Sequence, residues 1–405
     1  MLPDGWKHAT IENLGAKGKP AVKAGPFGSS LKKEYYKPFG YKIYGQEQVI
    51  SNDENYGNYF IDENKYNELK SCSVSPGDIL ISLVGTIGQT LLLSNSCQQG
   101  IINPRLLRVS LDKDRIIPAY IQYILASNYT QNILKRWAQG GTMGVLNAEM
   151  IKTFPILLPP LPEQKKIAAI LSTWDRAIEG TEKLLANSQQ QKKALMQQLL
   201  TGKKRLPGFT GEWKICSLSD VATVQTATSK TQYICENGER FIVDMGSVNR
   251  LGNLVCTKST QHNADLLPKG TLVMPKDDIG GGNIIGRTSY IDRDDLYVLG
   301  DHVYALHIGD CDSKFLHFLI NSHPINKNLR RRANGTAQLG LGKKDVLRQK
   351  IKIPSEFSEQ KAIAAVLTTA DEEITALESD LSRLRQEKKA LMQQLLTGKR
   401  RVTVD

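Results

Sequence analysis

An internal repeat constrains this chain more than any other feature of its sequence. The twelve residues Lys-Lys-Ala-Leu-Met-Gln-Gln-Leu-Leu-Thr-Gly-Lys occur at 192–203 and again, letter for letter, at 388–399. At this offset, 388 − 192 = 196, residues 163–203 align with 359–399 without a gap, and 25 of the 41 aligned positions are identical. A match of this length indicates duplication, so the chain consists of two related halves.

Both copies of the repeat have the spacing of a long amphipathic helix. Apolar residues recur every three or four positions, which is typical of a coiled coil. Each copy is predicted to form one helix of roughly 37 residues, about 55 Å long. Thr181, Ser188, Lys192 and Lys388 interrupt the apolar seams, so we predict that the two helices pack against each other. The predicted packing residues are Ile167, Leu171, Trp174, Ile178 and Leu185 in the first copy and Ile363, Leu367, Ile374, Leu377, Leu381 and Leu384 in the second.

Two divergent versions of one domain precede the helices. Trp6-Lys7 corresponds to Trp213-Lys214, and the turn at Pro76-Gly77 corresponds to the one at Pro268-Lys269-Gly270. A Pro-Gly pair at Pro207-Gly208 marks the edge between the halves. The predicted boundaries are a first globular domain at 1–162, a first helix at 163–203, a linker and second globular domain at 204–358, a second helix at 359–399 and a tail at 400–405.

Each domain is predicted to be a mixed α/β or α+β globule of short strands followed by a helix. The fold class is therefore α+β, with two tandem domains separated by two long helices that form an antiparallel coiled coil with pseudo-twofold symmetry. The predicted strands are 79–84, 90–94, 106–110, 271–274, 286–291 and 302–307, and the predicted domain helices are 118–137 and 313–331.

The charge balance favours a polyanionic partner. Lys and Arg exceed Asp and Glu by 53 − 41 = 12, which gives a sequence pI near 9.2. Six scattered cysteines without a Cys-x-x-Cys pair, and a start without a signal-like apolar stretch, predict a reducing cytoplasm. The most apolar segment, 79–93, contains Gly85 and Gly88 and is too short to span a membrane.

Two globular domains held by a rigid spacer suit a target with two separated parts. One helical turn of DNA is about 34 Å, and a helix of about 55 Å is long enough to set such a separation. The helices alone are equally typical of a coiled coil that only dimerises. A protein-interaction module without a DNA role therefore remains an alternative at this point.

The order of motifs resembles the specificity subunit of type I restriction-modification systems, over essentially the whole chain. The residues that carry the resemblance are Gly25 to Lys32 (GPFGSSLK), Pro76 to Ser82 with Gly85 to Gly88, Ile102 to Leu106 (INPRL), and Leu158 to Ala168 (LPPLPEQKKIA), whose core recurs as Glu359 to Ala364 (EQKAIA). The second domain departs from the pattern at Gly246 to Asn249 and at Lys276 to Gly282.

The resemblance implies a non-catalytic subunit that binds double-stranded DNA at a bipartite site, each domain recognising one half. It further implies association with two adenine methyltransferase subunits and, for restriction, two translocase-nuclease subunits. Those partners are expected to use S-adenosylmethionine, and Mg²⁺ with ATP, while this chain binds no cofactor of its own.

Catalytic motifs are not found. Asn103-Pro104-Arg105-Leu106 does not match the Asn/Asp-Pro-Pro-Tyr/Phe motif of an adenine methyltransferase. Glu163-Gln164-Lys165 has the Glu-x-Lys spacing of a nuclease but lacks an upstream Pro-Asp, and its recurrence at a helix start favours a structural role. The run 335–344 departs from a phosphate-binding loop, and the isolated histidines do not predict a metal site. A self-contained enzyme is thus the less favoured alternative.

Base recognition uses Arg or Lys for guanine, Asn or Gln for adenine, and small polar side chains on loops. Each residue chosen on this basis is as readily explained as a solvated loop residue, and the Lys and Arg choices favour phosphate contact. The candidates are Ser29, Ser30, Lys32, Lys33, Gln46, Thr86, Gln89, Thr142 and Asn147 in the first domain and Thr228, Ser229, Lys230, Ser247, Asn249, Arg250, Lys276, Asn283, Asn334, Thr336, Gln338 and Lys343 in the second. Arg330-Arg331-Arg332 either stabilises a helix end or clamps a phosphate.

Overall fold

The structure, a computed structural model, describes residues 2–140, 146–279, 281–335 and 338–404, with the backbone alone at 138–140. The chain divides into two compact units. The first consists of residues 1–182 with 380–405, and the second of residues 183–379. Each unit therefore contains one predicted recognition domain together with one half of each long helix.

The described residues of the first unit form nine strands, five domain helices and the start of a long helix. Its strands are β1 Lys7–Thr10, β2 Val22–Ala24, β3 Tyr41–Tyr44, β4 Phe60–Ile61, β5 Ile79–Ser82, β6 Thr90–Leu92, β7 Gly100–Ile102, β8 Leu106–Val109 and β9 Pro155–Leu158. Its helices are α1 Gln46–Ser51, α2 Glu63–Glu68, α3 Pro118–Ala126, α4 Asn128–Gly140 and α5 Ala148–Lys152, followed by α6 Leu161–Leu199, which continues into the second unit.

Among its described residues, the second unit has counterparts of these nine strands and of α3 to α6, with two additional strands and without counterparts of α1 and α2. Its strands are β10 Trp213–Ser217, β11 Ala222–Gln225, β12 Arg240–Val243, β13 Ser259–Thr260, β14 Leu272–Pro275, β15 Asp277–Asp278, β16 Ser289–Tyr290, β17 Tyr297–Leu299, β18 Val303–Ile308, β19 Leu339–Gly340 and β20 Lys350–Pro354. Its helices are α7 Ser313–Asn321, α8 His323–Arg332, α9 Lys343–Leu347 and α10 Phe357–Leu395, the last of which continues into the first unit.

The sheets of the two units have the same topology. A four-stranded sheet has the order β2-β8-β5-β6 in the first unit and β11-β18-β14-β16 in the second. A three-stranded sheet has the order β4-β3-β7 or β13-β12-β17, with one parallel pair, β3 with β7 or β12 with β17. The two-stranded pairs β1-β9 and β10-β20 are antiparallel. The duplication predicted from the helices therefore extends to the divergent domains.

Both predicted domain helices are interrupted at a serine. Ser127 separates α3 from α4 and Ser322 separates α7 from α8, each with extended backbone at ψ 146° and 147°. Pro324 explains the second break, because a proline is tolerated only in the first turn of a helix. The Ser127 hydroxyl accepts a hydrogen bond from the backbone N–H of Thr130 at 3.3 Å, as a helix cap does. The single helices predicted at 118–137 and 313–331 are thus wrong.

The two long helices have 39 residues each and run antiparallel within each unit. In the first unit Asp175 pairs with Lys388 and Glu182 with Arg385. In the second unit Ser188 donates to Glu373 at 2.8 Å and Lys192 pairs with Asp371. In both units the residue numbers rise along one helix as those of their partners fall along the other, so the antiparallel arrangement is confirmed inside each unit.

The ends of the long helices lie in the hydrophobic cores of the units. Ile167 and Leu171 pack in one buried cluster with Leu395 and Leu396, which come from the other helix. Ile363 and Leu367 pack in the equivalent cluster with Leu199 and Leu200. The other predicted packing residues are half-buried, except for the buried Leu381, and they are Trp174, Ile178, Leu185, Ile374, Leu377 and Leu384.

Among the described residues, no helix is long and apolar enough to cross a membrane.

Candidate nucleic-acid interface

Four loops of the first domain converge beside the ends of its strands. A Cβ atom added at Gly25 would lie 1.8 Å from the carbonyl oxygen of Asn103, so only glycine permits this close approach. A Cβ at Gly45 would lie 2.8 Å from the Asn103 side-chain amide. The Gln46 side chain donates a hydrogen bond to the carbonyl of Val84. The loops at 25–33, 45–48, 84–89 and 103–105 therefore share one edge of the domain.

The candidate side chains on these loops are accessible. Ser29, Lys32, Lys33, Thr86 and Gln89 are exposed, and Ser30 and Gln46 are half-buried. Their polar atoms can therefore contact a ligand at this edge.

Two further residues on this edge were missed by sequence reasoning. Arg105 is exposed at the end of the INPRL motif, and its carbonyl accepts a hydrogen bond from the backbone N–H of Leu83 at 3.0 Å. Phe27 is 87% exposed in the loop that follows β2. The position of Arg105 directly before a buried strand was the available signal for it.

The remaining candidates of the first domain are Asn147 and Thr142. Asn147 caps α5, because its side-chain oxygen accepts a hydrogen bond from the backbone N–H of Met150 at 2.9 Å. The side-chain oxygen of Asn147 is therefore already used in capping this helix. Thr142 lies outside the described residues.

A short ribbon of β15 and β19 gathers candidates in the second domain. Asp278 pairs with Leu339 in this ribbon, and the backbone N–H of Leu341 donates to the carbonyl of Lys276 at 2.7 Å. The Asp278 carboxylate accepts a hydrogen bond from the backbone N–H of Ile284 at 3.0 Å, which holds the glycine-rich loop against the ribbon. The candidates carried by these segments are Lys276, Asn283, Asn334 and Gln338, while Thr336 lies outside the described residues.

A second group of candidates follows β11. Thr228 and Ser229 are exposed, and the Lys343 ammonium donates to the carbonyl of Val224 at 2.9 Å. Lys343 therefore lies close to the loop that carries the other two. Lys230 is different, because it is 6% exposed and forms an ion pair with Asp265 at 2.6 Å. Its ammonium is directed inward and has a carboxylate partner.

The remaining three candidates lie on the turn after β12. Ser247 is buried at 3% exposure and its hydroxyl accepts a hydrogen bond from the backbone N–H of Asp244. Asn249 accepts from the backbone N–H groups of Leu251 and Asn253, so its oxygen organises the turn. Arg250 is exposed at the tip. Of these three, Arg250 has the most accessible side chain.

The repeated Glu-Gln-Lys segments have structural partners. The Glu359 carboxylate is 1% exposed and accepts two hydrogen bonds from Arg205, while Glu163 pairs with Arg401 and accepts from the Trp6 indole at 3.2 Å. These pairs are equivalent at the offset of 196. Among the described residues no three His, Cys, Asp or Glu side chains are grouped to hold a metal ion. The structural interpretation of the Glu-x-Lys spacing is supported.

The chain matches the family described as "Type I restriction modification DNA specificity domain" over residues 3–187 and 210–384. The chain belongs to this family. It carries the specificity domain twice, and each match covers one predicted recognition domain with the first half or more of the long helix that follows it. The chain is accordingly a DNA-recognition protein of a type I system and not the catalytic component.

The chain is similar in sequence to named specificity subunits over most of their length. The chain is 26% identical over 358 residues to the type I restriction enzyme MjaVIII specificity subunit of Methanocaldococcus jannaschii, covering 82% of this chain and 81% of the relative. It is 24% identical over 362 residues to the putative MjaX specificity subunit of the same organism, covering 85% and 83%.

Solved structures show the same fold. The S subunit of a type I restriction-modification system from M. genitalium has a TM-score of 0.65 at 16% identity, covering 98% of both chains. A chain from a study of complex assembly and conformational transition of the type I R-M system has a TM-score of 0.56 at 16% identity, covering 99% of this chain and all of that one. The α+β architecture with two long helices is therefore confirmed.

Proposed function

We propose that this chain is the specificity subunit of a type I restriction-modification enzyme, in which each recognition domain binds one half of a split DNA site. The observation that carries the proposal is the pairing of two specificity domains with one topology but different loops. Shared strands give the two domains the same scaffold. Loops of different composition, such as 25–33 and 226–231, give them different base preferences.

Direct contacts with bases are proposed for polar candidates that are exposed or half-buried. Gln46 and Gln89 are suited to adenine in the first domain, and Asn334 and Gln338 in the second, because an amide pairs with the N6 and N7 atoms of adenine. Lys32, Lys33, Arg250 and Lys343 are proposed to contact phosphates and to position the domains. Lys230 and Ser247 are not proposed to contact DNA, because both side chains are buried.

Two methyltransferase subunits are the proposed permanent partners. Packing explains why Leu199, Leu200 and their equivalents recur, but Gln190, Ala194 and Gln198 are exposed and recur identically as Gln386, Ala390 and Gln394. Exposed residues need not match for the fold to form. An identical exposed surface on each unit fits two copies of one partner.

Two restriction subunits are proposed to join this complex when DNA is cleaved. S-adenosylmethionine, Mg²⁺ and ATP are proposed to act on those partner subunits, in the cytoplasm where host DNA is modified. The chain itself supplies neither methyl transfer nor cleavage. Methyl transfer by the purified chain alone would overturn this division of roles.

The decisive experiment is a map of N6-methyladenine in a methylation-free host that carries the neighbouring methyltransferase, with and without this chain. We expect a motif of two short half-sites with a fixed gap, methylated only when the chain is present. An unchanged map, with assembly of the complex verified, would contradict the proposal and favour the coiled-coil scaffold without a DNA role. Binding that does not weaken with salt would favour the same alternative.

A further inference from the structure

The second unit contains a pocket of about 890 Å³ between α6 and α8. One wall is the end of α6, including Met196 and Leu200 of the repeated run, and another is the start of α8 from His323. The glycine-rich loop at Gly281-Gly282 and the ribbon residue Leu339 form the remaining side. All of these residues belong to the second unit.

The pocket is strongly cationic. It has seven basic lining residues and no acidic one, and the basic residues are Lys192, Lys193, Lys203, Arg287, Lys327, Arg330 and Arg331. Lys192 is neutralised by Asp371. None of the other six forms an ion pair with any described carboxylate. The protein itself therefore leaves this concentration of positive charge uncompensated.

Arg287 shows the electrostatic cost of this arrangement. One guanidinium nitrogen donates to the carbonyl of Asn321 at 2.7 Å, but its Nε atom is buried without a partner. Burial, and to a smaller extent the positive charge of Arg330, lowers the pKa of Arg287. A bound anion would reduce the repulsion between these two guanidinium groups.

The equivalent pocket of the first unit does not share this charge. It measures about 510 Å³ and is lined by the second copy of the repeated run, from Lys388 to Thr397. Its opposite wall is formed by neutral residues of α4, such as Asn128 and Thr130. Two of its three basic residues, Arg385 and Lys388, are paired with carboxylates. The repeat alone thus does not create a cationic pocket.

The cationic pocket lies next to the loops of the second domain that carry candidate DNA-contacting residues. A Cβ added at Gly282 would lie 2.9 Å from Leu339 and 3.8 Å from the Arg330 guanidinium. Leu339 belongs to the ribbon that carries Gln338, and Gly282 belongs to the loop that follows Lys276. A ligand that contacts these loops can therefore extend directly into the pocket.

We propose that this pocket binds backbone phosphates of the DNA that flanks the half-site contacted by the second domain. This proposal rests on the proposed function and adds a sequence-independent contact that the first domain lacks. Arg330, Arg331 and Lys327 are exposed at the rim and supply donors to phosphate oxygens. The second unit then contributes more of the salt-dependent affinity than the first.

The test uses the chain assembled with its methyltransferase and a duplex of random sequence as the probe. Arg330→Gln with Arg331→Gln removes two pocket cations. The matched control is Lys135→Gln with Arg136→Gln, because these exposed residues occupy the same positions in α4, counted from Ser127, but do not line the first unit's pocket. Fluorescence anisotropy gives the affinity at several salt concentrations. We expect the slope of log affinity against log salt to fall by about 0.9 for each lost contact, or about 2 in total, and to change little in the control.

Three outcomes overturn the proposal. One is an unchanged slope in the pocket variant, and another is an equal fall in the control, which would indicate a general effect of charge. The third is an unchanged slope with loss of the methyltransferase from the complex, which would assign the pocket to an acidic segment of that protein. The methylation map separates these results from failure of the proposed function. A split motif that persists in the pocket variant upholds the proposed function whatever the slope.

Discussion

Each long helix has a buried glutamate in its first turn that forms an ion pair with an arginine. The Glu359 carboxylate is almost completely buried, and Arg205 is its ion-pair partner. The equivalent Glu163 has Arg401 and also the Trp6 indole. Removing one member of a buried pair is costly, because the other charge is left in a medium of low polarity.

We expect Arg205→Met to lower the free energy of unfolding of the second unit by about 3 kcal/mol, the low end for a broken buried pair because Arg205 is partly exposed. Urea denaturation of the full chain measures this loss. Arg401→Met serves as the comparison, and its effect should be smaller because the Trp6 indole still donates to Glu163. Equal losses in both variants would contradict this explanation.

His317 should make the stability of the second unit depend on pH. It is half-buried beside the Thr288 hydroxyl, at 3.2 Å, and desolvation, followed by the charges of Lys192 and Lys314, lowers its pKa to about 4. The unfolded state keeps a pKa near 6.5, so between pH 6.5 and 4 it binds the proton more readily than the folded state. Stability that is fully present above pH 6.5 is therefore lost as the pH falls, by up to about 3 kcal/mol.

The measurement is the difference in unfolding free energy between the chain and a His317→Gln variant across this pH range. Because glutamine does not titrate, the difference should shrink steadily from pH 7 to pH 4. A constant difference would show that His317 is not the group responsible. Carboxylates that titrate in this pH range are present in both proteins, so their contribution cancels in the difference.

At the residue scale the sequence predicted chemical type better than accessibility. Gln46, Thr86 and Gln89 were chosen as loop residues, and the structure places them on one edge. Lys230 was chosen on the same basis, but Asp265, which lies 35 positions further along the chain, holds it in the interior. Such a pairing depends on the fold of the whole domain, and nothing in the local sequence signals it.

Charged residues in the seam of the long helices were interpreted as interruptions, and the structure gives them a function. Lys192 pairs with Asp371, and Lys388 pairs with Asp175. These pairs are equivalent at the offset of 196, so the same ion pair between the helices occurs once in each unit. Polar residues at such positions fix the register of packed helices because a shifted register leaves them unpaired.

Reversing the charges of one pair tests this role. Lys192→Asp places two carboxylates together and should destabilise the second unit by about 1 kcal/mol, since both side chains are partly exposed. Adding Asp371→Lys should restore most of the loss, as a double-mutant cycle of thermal unfolding would measure. The same exchange at Lys388 and Asp175 is the matched control in the first unit. Absence of rescue in both units would sink the register argument.

Periodicity predicted the long helices well because their pattern is continuous over many turns. It failed at Ser127 and Ser322, where an apolar pattern continues while the backbone changes direction. The strand predicted at 286–291 was also longer than the observed Ser289–Tyr290. Gly286 has a φ of +68°, which a regular strand does not permit, and glycine adopts this angle without strain.

The whole molecule is built so that neither half contains a complete unit. The core of the first unit includes Leu395 and Leu396, which the second half of the chain supplies. Leu199 and Leu200 are the identical residues of the first half, and they complete the core of the second unit. The sequence predicted packing between the helices, but it did not predict this exchange of helix ends.

This exchange predicts that a fragment of residues 1–205 forms a symmetric dimer. The Leu199 and Leu200 of one copy can occupy the places that Leu395 and Leu396 hold in the full chain, and its Arg205 can pair with Glu163 of the other copy as Arg401 does. Light scattering should give twice the mass of the fragment. A second fragment, 1–182, lacks the helix end and should remain monomeric and less stable.

Assembled with the methyltransferase, the 1–205 dimer should direct methylation to a motif made of two inverted copies of the first half-site. This follows because both recognition domains are then the same. A monomeric 1–205 fragment with the stability of the full chain would contradict the exchange of helix ends. A dimer that methylates the original asymmetric motif would instead contradict the assignment of one half-site to each domain.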